Sequence, residues 1–207
     1  MIRTVLFDMG NVLVSYTPTE TVRQICPDSP EDQQTILREV CRSADWIRVD
    51  RGDLKEEDAL EVFRARLPER LYPLAERYLY HWEDFSRIVP GMPELLDDLK
   101  EAEYRLCLLT NAGSRHHSYW PSFGLSSNFE DRICLSADWH VLKPEREYFE
   151  TARKVLDLSF PECVFIDDNA QNVEAAWRCG LDAIVFYQDP LRLRKELIAR
   201  GVRIPEC

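Results

Sequence analysis

An apolar run, Thr4-Val5-Leu6-Phe7, ends on an acid, Asp8, and a glycine follows two residues later at Gly10. A strand of this kind delivers a lone carboxylate to its C-terminal edge and then turns, where open α/β sheets bind ligands. The acid loses hydration there, so a cation or a reaction partner has to compensate it. Further apolar runs at Tyr104–Leu109, Ile133–Leu135, Cys163–Ile166 and Ala183–Phe186 alternate with amphipathic segments at about 114–121, 145–156, 170–179 and 189–200. This alternation predicts an α/β fold, a doubly wound, Rossmann-like parallel sheet with helices on both faces.

Residues 16–89 have a different character, with many Glu, Arg and Leu and with aromatics at helical spacing. Pro18-Thr19-Glu20, Ser29-Pro30-Glu31-Asp32 and Asp53-Leu54-Lys55-Glu56 read as helix starts, the last close to a capping box. The stretch predicts a small helical cap, 16–89, inserted after the first strand of a core domain made of 1–15 and 90–207. Hinged beside Asp8, such a cap covers a bound substrate and excludes water. An insert that only adds stability is the alternative.

The net charge of −11 argues against nucleic acid or an anionic membrane as partner, and requires any phosphate site to be locally positive. The seven cysteines form no CxxC pair and sit mostly in apolar runs, which reads as reduced thiols, without a disulfide frame or a zinc site. No apolar stretch approaches the roughly 18–20 residues a bilayer demands, and Met1-Ile2-Arg3 runs directly into the first strand. A cytoplasmic protein with no membrane partner is expected; oligomeric state is open.

Each of four segments at predicted strand ends carries a polar group. They are Asp8, then Thr110-Asn111 after Leu106–Leu109, then Leu142-Lys143-Pro144 with a helix opening on the proline, and Asp167-Asp168-Asn169 after Val164–Ile166. Singly, Thr110-Asn111 reads also as a helix cap and Lys143 as a solvated charge. Two adjacent acids after a buried strand repel unless a divalent cation lies between them.

In this order the motifs resemble the haloacid dehalogenase-like hydrolase superfamily over the whole length. The Phe7-Asp8-Met9-Gly10-Asn11-Val12 wording is similar to the branch of sugar-phosphate phosphatases, notably α-glucose-1-phosphate phosphatases. A looser similarity is to the amino-terminal phosphatase domain of soluble epoxide hydrolases. The resemblance implies a Mg²⁺-dependent phosphatase acting on a small-molecule phosphate, with Asp8 as nucleophile forming an aspartyl-phosphate. It implies Mg²⁺ on Asp8, the Gly10 carbonyl and Asp168, with Asp167 close by. Thr110 and Asn111 would hold phosphate oxygens, Lys143 would neutralise charge, and Asn172 would orient Asp168 or the metal's waters.

Most phosphatases of this superfamily carry a second aspartate where this chain has Gly10, a glycine that the sugar-phosphatase branch shares. Three outcomes stay open: a substrate with a good leaving group, an acid supplied by the cap or by His116 or His117, or slow turnover. His140 stands where relatives often have glycine; if that glycine serves a positive-φ turn, a histidine there is mildly strained. His116 and His117 are expected at the rim of the site, and Trp46 and Trp120 as candidates for stacking on a sugar ring. Arg51-Gly52-Asp53 is expected to be a turn and helix cap. The rival functions are a 2-haloacid dehalogenase and a catalytically weak phospho-ligand-binding protein.

Overall fold

The computed structural model describes residues 1–206. Strands β1 (Thr4–Phe7), β2 (Arg105–Thr110), β3 (Ile133–Leu135), β4 (Cys163–Asp167) and β5 (Asp182–Val185) form one parallel sheet in the order β3-β2-β1-β4-β5. The chain builds outward from β1 to β3, then crosses back to place β4 on the other side of β1. The strand order therefore reverses at β1, which makes its C-terminal end the switch point where such sheets bind ligands. Asp8 lies there, its N–H donating to the Ile166 carbonyl at 2.9 Å.

Between β1 and β2 come α1 (Pro18–Ile25), α2 (Pro30–Ile36) with a π-helical turn at Leu37–Cys41, α3 (Ala44–Arg51), α4 (Glu56–Arg64), α5 (Tyr72–His81) and α6 (Met92–Glu101). The later connections carry α7 (His116–Tyr119), α8 (Ser136–Trp139), α9 (Arg146–Val155), α10 (Ala170–Arg178) and α11 (Pro190–Ala199).

Side chains alternate across the strands as the pleat requires. Leu6, Cys107, Leu109 and Phe165 pack with Tyr148 and Phe149 of α9 and Val173 of α10. Val5, Phe7, Leu108 and Ile166 belong to the opposite cluster, with Leu95 and Leu99 of α6 and Leu193 and Leu197 of α11. Each fully buried Leu or Phe contributes about 1.5–3 kcal/mol, so the sheet edge that holds Asp8 is a rigid mount.

Some local expectations change. Helix α6 was not among the amphipathic segments anticipated, although Met92, Leu95, Leu96 and Leu99 follow helical spacing and are buried. Asp53 does not cap α4, whose N-cap is Lys55 without a side-chain bond; its carboxylate meets His140 Nδ1 at 2.9 Å instead. Ser29 caps α2 as read, accepting from the Asp32 N–H at 3.2 Å. Pro144 does not open α9, which begins at Arg146. His140 does take a positive φ, 56°. Six cysteines are free, and Cys207 lies outside the described residues. No described helix is long and apolar enough to cross a membrane.

Arg51-Gly52-Asp53 is indeed the end of a helix, and it also docks the helical stretch onto the sheet domain. Gly52 has φ +82°, and a Cβ there would stand 2.3 Å from the Ala137 carbonyl oxygen. Only glycine permits that approach. The Arg51 guanidinium donates to Glu145 Oε2 at 2.8 Å, and Ser136 Oγ donates to the Asp50 carbonyl at 2.5 Å.

Candidate active site

Three strand ends and one loop deliver their polar groups to one point. Lys143 is only 5 % exposed, and its Nζ lies 2.8 Å from Asp8 Oδ1 and 2.7 Å from Asp167 Oδ2. The ammonium also donates to the Leu109 carbonyl at 2.9 Å. A solvated surface lysine is thereby excluded. Asn111 fixes the lysine's backbone from both sides: its Nδ2 donates to the Lys143 carbonyl and its Oδ1 accepts the Lys143 N–H, each at 2.9 Å. Asn111 is therefore a brace between loops, with no helix to cap.

Asp167 is fully buried and saturated. Oδ1 accepts from the Asn169 N–H at 2.8 Å, Oδ2 from Lys143, and Asn172 Nδ2 reaches both oxygens at 3.0 Å. Asn172 thus orients Asp167, where Asp168 had been one expected target. Asp168 is held by Asn11, whose Nδ2 donates to its Oδ2 at 3.1 Å. Asn11 itself sits at φ 55°, its Oδ1 accepting the Tyr16 N–H at 2.9 Å. That brace was present in the motif but its role was not read.

Asp8, Asp167 and Asp168 each offer an oxygen within 4.8 Å of the others. Burial pushes the Asp8 carboxyl up to about 7; the Lys143 ammonium pulls it down, while Asp167 and Asp168 push it further up. Asp168 is raised as well, by burial and then by Asp167. Burial opposes the Lys143 charge, yet Asp167 and Asp8 hold its pKa above the ordinary value. Three acids around one ammonium leave the cluster short of positive charge. The buried Asn172 Oδ1 also has no protein partner, which suits a hydrated divalent cation beside it. With Asp167 saturated, Asp8 and Asp168 are the carboxylates free to ligate.

The cluster floors a cavity of about 170 Å³, whose wall includes Gly10, Thr110, Asn111 and Asn172 from the sheet domain and Tyr16, Trp46, Asp50 and Glu56 from beyond β1. Trp46 packs edge-on against Tyr78 at 5.2 Å in this wall. His116 and His117 do not line it. His116 is fully buried and stacked on Trp120 at 5.6 Å, while His117 is exposed and paired with Asp138 at 3.0 Å. Trp120, 2 % exposed, is a core residue and no sugar platform. Asp50 and Glu56 were missed as site residues; in the sequence they are two acids on amphipathic helices.

A doubly wound sheet with an acid at its switch point, a buried lysine and a late acid pair is the arrangement of an α/β enzyme whose site lies at the carboxyl edge of the sheet. Comparison with known proteins gives the particular family. The profile of haloacid dehalogenase-like hydrolases matches residues 2–180, and the chain belongs to that family. It is 26% identical over 178 residues to the sesquiterpene phosphatase astK of Aspergillus oryzae, covering 85% of each chain. It is 24% identical over 201 residues to the drimenol cyclase drtB of Aspergillus calidoustus; those residues cover 91% of this chain but 34% of that protein, so the chain spans about a third of its length. Among solved structures, a HAD family enzyme from Bacteroides thetaiotaomicron in complex with magnesium and inorganic phosphate superposes with TM-score 0.66 at 20% identity, covering 89% of this chain and 93% of that one. The L-2-haloacid dehalogenase of Xanthobacter autotrophicus superposes with TM-score 0.64 at 18% identity, covering 98% and 85%.

Proposed function

We propose that this hydrolase is a Mg²⁺-dependent phosphatase that cleaves a small phosphomonoester through an aspartyl-phosphate on Asp8. The observation that carries the reading is Asp8, held at 2.8 Å by a buried lysine inside a three-carboxylate cluster on a cavity floor. Asp8 attacks phosphorus in line, and the ester oxygen leaves. Lys143 neutralises charge between nucleophile and phosphate, while Thr110 and the Asn111 backbone hold phosphate oxygens. Asp8, Asp168 and the Gly10 carbonyl would ligate Mg²⁺, with Asp167 fixing the lysine beside them. Bound there, the ion supplies charge neutralisation and alignment, which phosphoryl transfer chiefly needs.

In this reading residues 16–89 act as a cap over a core of 1–15 and 90–207, and the free thiols and acidic composition suit a cytoplasmic setting. A sugar phosphate is the preferred substrate class. The cavity is compact, Trp46 offers a face for a sugar ring, and Asp50 and Glu56 offer acceptors for hydroxyls. A prenyl phosphate is the second reading, favoured by the sesquiterpene phosphatase among the relatives and by Val49 and Leu79 in the wall. Purified protein is expected to hydrolyse p-nitrophenyl phosphate and hexose phosphates with Mg²⁺, and Asp8→Asn to abolish turnover. Undiminished turnover by that variant rejects the mechanism. Chloride release from chloropropionate in EDTA, with no phosphatase activity, installs the dehalogenase instead.

A further inference from the structure

With Gly10 in place of a second aspartate, the proposed phosphatase has no acid beside its nucleophile, and the cavity wall narrows where another can stand. None of the chain's four histidines lines it. Arg115 is committed to the Leu79 and Tyr80 carbonyls and to Glu83, and a guanidinium does not release its proton. The Tyr16 hydroxyl is tied to that of Tyr78 at 3.0 Å. Burial, then the Asp50 charge, raises both the Tyr16 and Tyr119 phenols above their ordinary value. Of the four wall carboxyls, Asp8 and Asp168 belong to the cluster. Glu56 accepts from Ser114 Oγ at 3.0 Å and from the Arg115 N–H at 3.1 Å.

Asp50 remains. It is the penultimate residue of α3, and the nearby Gly113 N–H and Trp46 side chain favour its carboxylate form. Gly113 follows Thr110-Asn111 in the loop after β2. A Cβ on Gly113 would stand 2.8 Å from both Val49 Cγ1 and Glu56 Oε1, so α3 and α4 press directly on that loop. Asp50 thus hangs from the helical stretch beside the loop that would grip the phosphate, and shares the cavity with Asp8.

We infer that Asp50 is the acid–base group of this active site, supplied from the cap in place of the residue absent at position 10. The inference rests on the phosphatase reading above. An Asp8 oxygen bonds to phosphorus as the phosphorus–ester bond breaks; the bonding pair goes to the ester oxygen, which takes the Asp50 proton and leaves as an alcohol. Asp50, now a carboxylate, takes a proton from water as the water oxygen attacks phosphorus. The bond to Asp8 breaks, inorganic phosphate departs, and Asp50 is protonated again. Leaving oxygen and incoming water both lie in line with the Asp8 oxygen, on its far side, so one group serves both steps.

The charge environment agrees. Burial raises the Asp50 carboxyl well above the ordinary range, and Glu56 on α4 adds to it, against the opposing effect of Gly113 and Trp46. Beyond the Asp8–Lys143–Asp168 cluster and Glu56, the titratable or charged side chains of the cavity wall are Tyr16 after β1, Tyr119 on α7 and Arg115 before it.

The test compares Asp50→Asn with the wild type on glycerol 2-phosphate and on 2,4-dinitrophenyl phosphate, with Mg²⁺. Loss of a positioned proton donor costs typically 10²–10⁴-fold, the fall expected in kcat/KM on the alkyl ester. On the aryl ester, whose leaving group needs no proton, the variant should release about one dinitrophenolate per site in a burst and then turn over slowly. A fall on both esters with no burst, or turnover of the alkyl ester within a few-fold of wild type, overturns the inference. Should the variant not fold, wild-type kcat/KM across aryl phosphates of graded leaving-group pKa decides. A shallow dependence supports an acid at the leaving oxygen, and a steep one removes it. Wild-type inactivity on every ester sinks the phosphatase reading itself, a different result.

Discussion

Lys143 shows why some site residues were legible and others not. It follows a predicted strand and precedes a proline, and the structure buries it between Asp8 and Asp167. Strand-end residues are readable because a short apolar run fixes where the backbone stops, and hence where the polar group emerges. Asp50 and Glu56 had no such marker; each is one acid among several on an amphipathic helix, and only the docking of α3 and α4 brings them to the Thr110–Gly113 loop. His116 failed for a related reason, since two adjacent histidines look polar until one is buried against Trp120. Burial, then the His117 charge, lowers its pKa from 6.5 to about 3. The folded ring stays neutral while the unfolded chain takes up a proton below about 6.5, so this stability is full above that pH and drains away as pH falls towards 3. His116→Phe keeps an aromatic ring there, and its urea midpoint should fall less than that of wild type between pH 7 and pH 4. Parallel falls would count against a buried neutral imidazole.

Among the elements, all five strands were legible, and so were the helices that follow β3, β4 and β5, because continuous apolar runs give way sharply to a 3.6-residue periodicity at their borders. Helix α6 was passed over because Pro90-Gly91-Met92-Pro93 reads as a boundary, although Pro93 is a normal first-turn proline. The end of α3 could not be foreseen as a contact, since Gly52 looks like an ordinary C-terminal glycine. Its role gives a clean comparison. Gly52→Ala meets both a positive φ and the Ala137 carbonyl, whereas Gly124→Ala meets only a positive φ of 73° with nothing within 4 Å. We expect Gly124→Ala to cost about 1–2 kcal/mol and Gly52→Ala clearly more. Each kcal/mol lowers the thermal midpoint of a chain this size by about 2–4 °C. Limited proteolysis within α1–α5 should also accelerate in Gly52→Ala alone; equal behaviour of the two variants would deny the docking role.

For the whole molecule, the strand order β3-β2-β1-β4-β5 puts the reversal at β1 and so collects residues from both ends of the chain, Asp8 and Asp168, at one crevice. A divalent ion there joins segments 160 positions apart, and should stabilise the folded state by mass action. Mg²⁺ is expected to raise the thermal midpoint progressively with concentration, and Asp168→Ala to abolish the rise; an unchanged rise in that variant would place the ion elsewhere. The seam of Arg51–Glu145 and Asp53–His140 beside the Gly52 contact has one more implication. Both charge pairs are partly exposed and so weakened by salt, which leaves the close Gly52–Ala137 approach as the part of the seam that ionic strength does not touch.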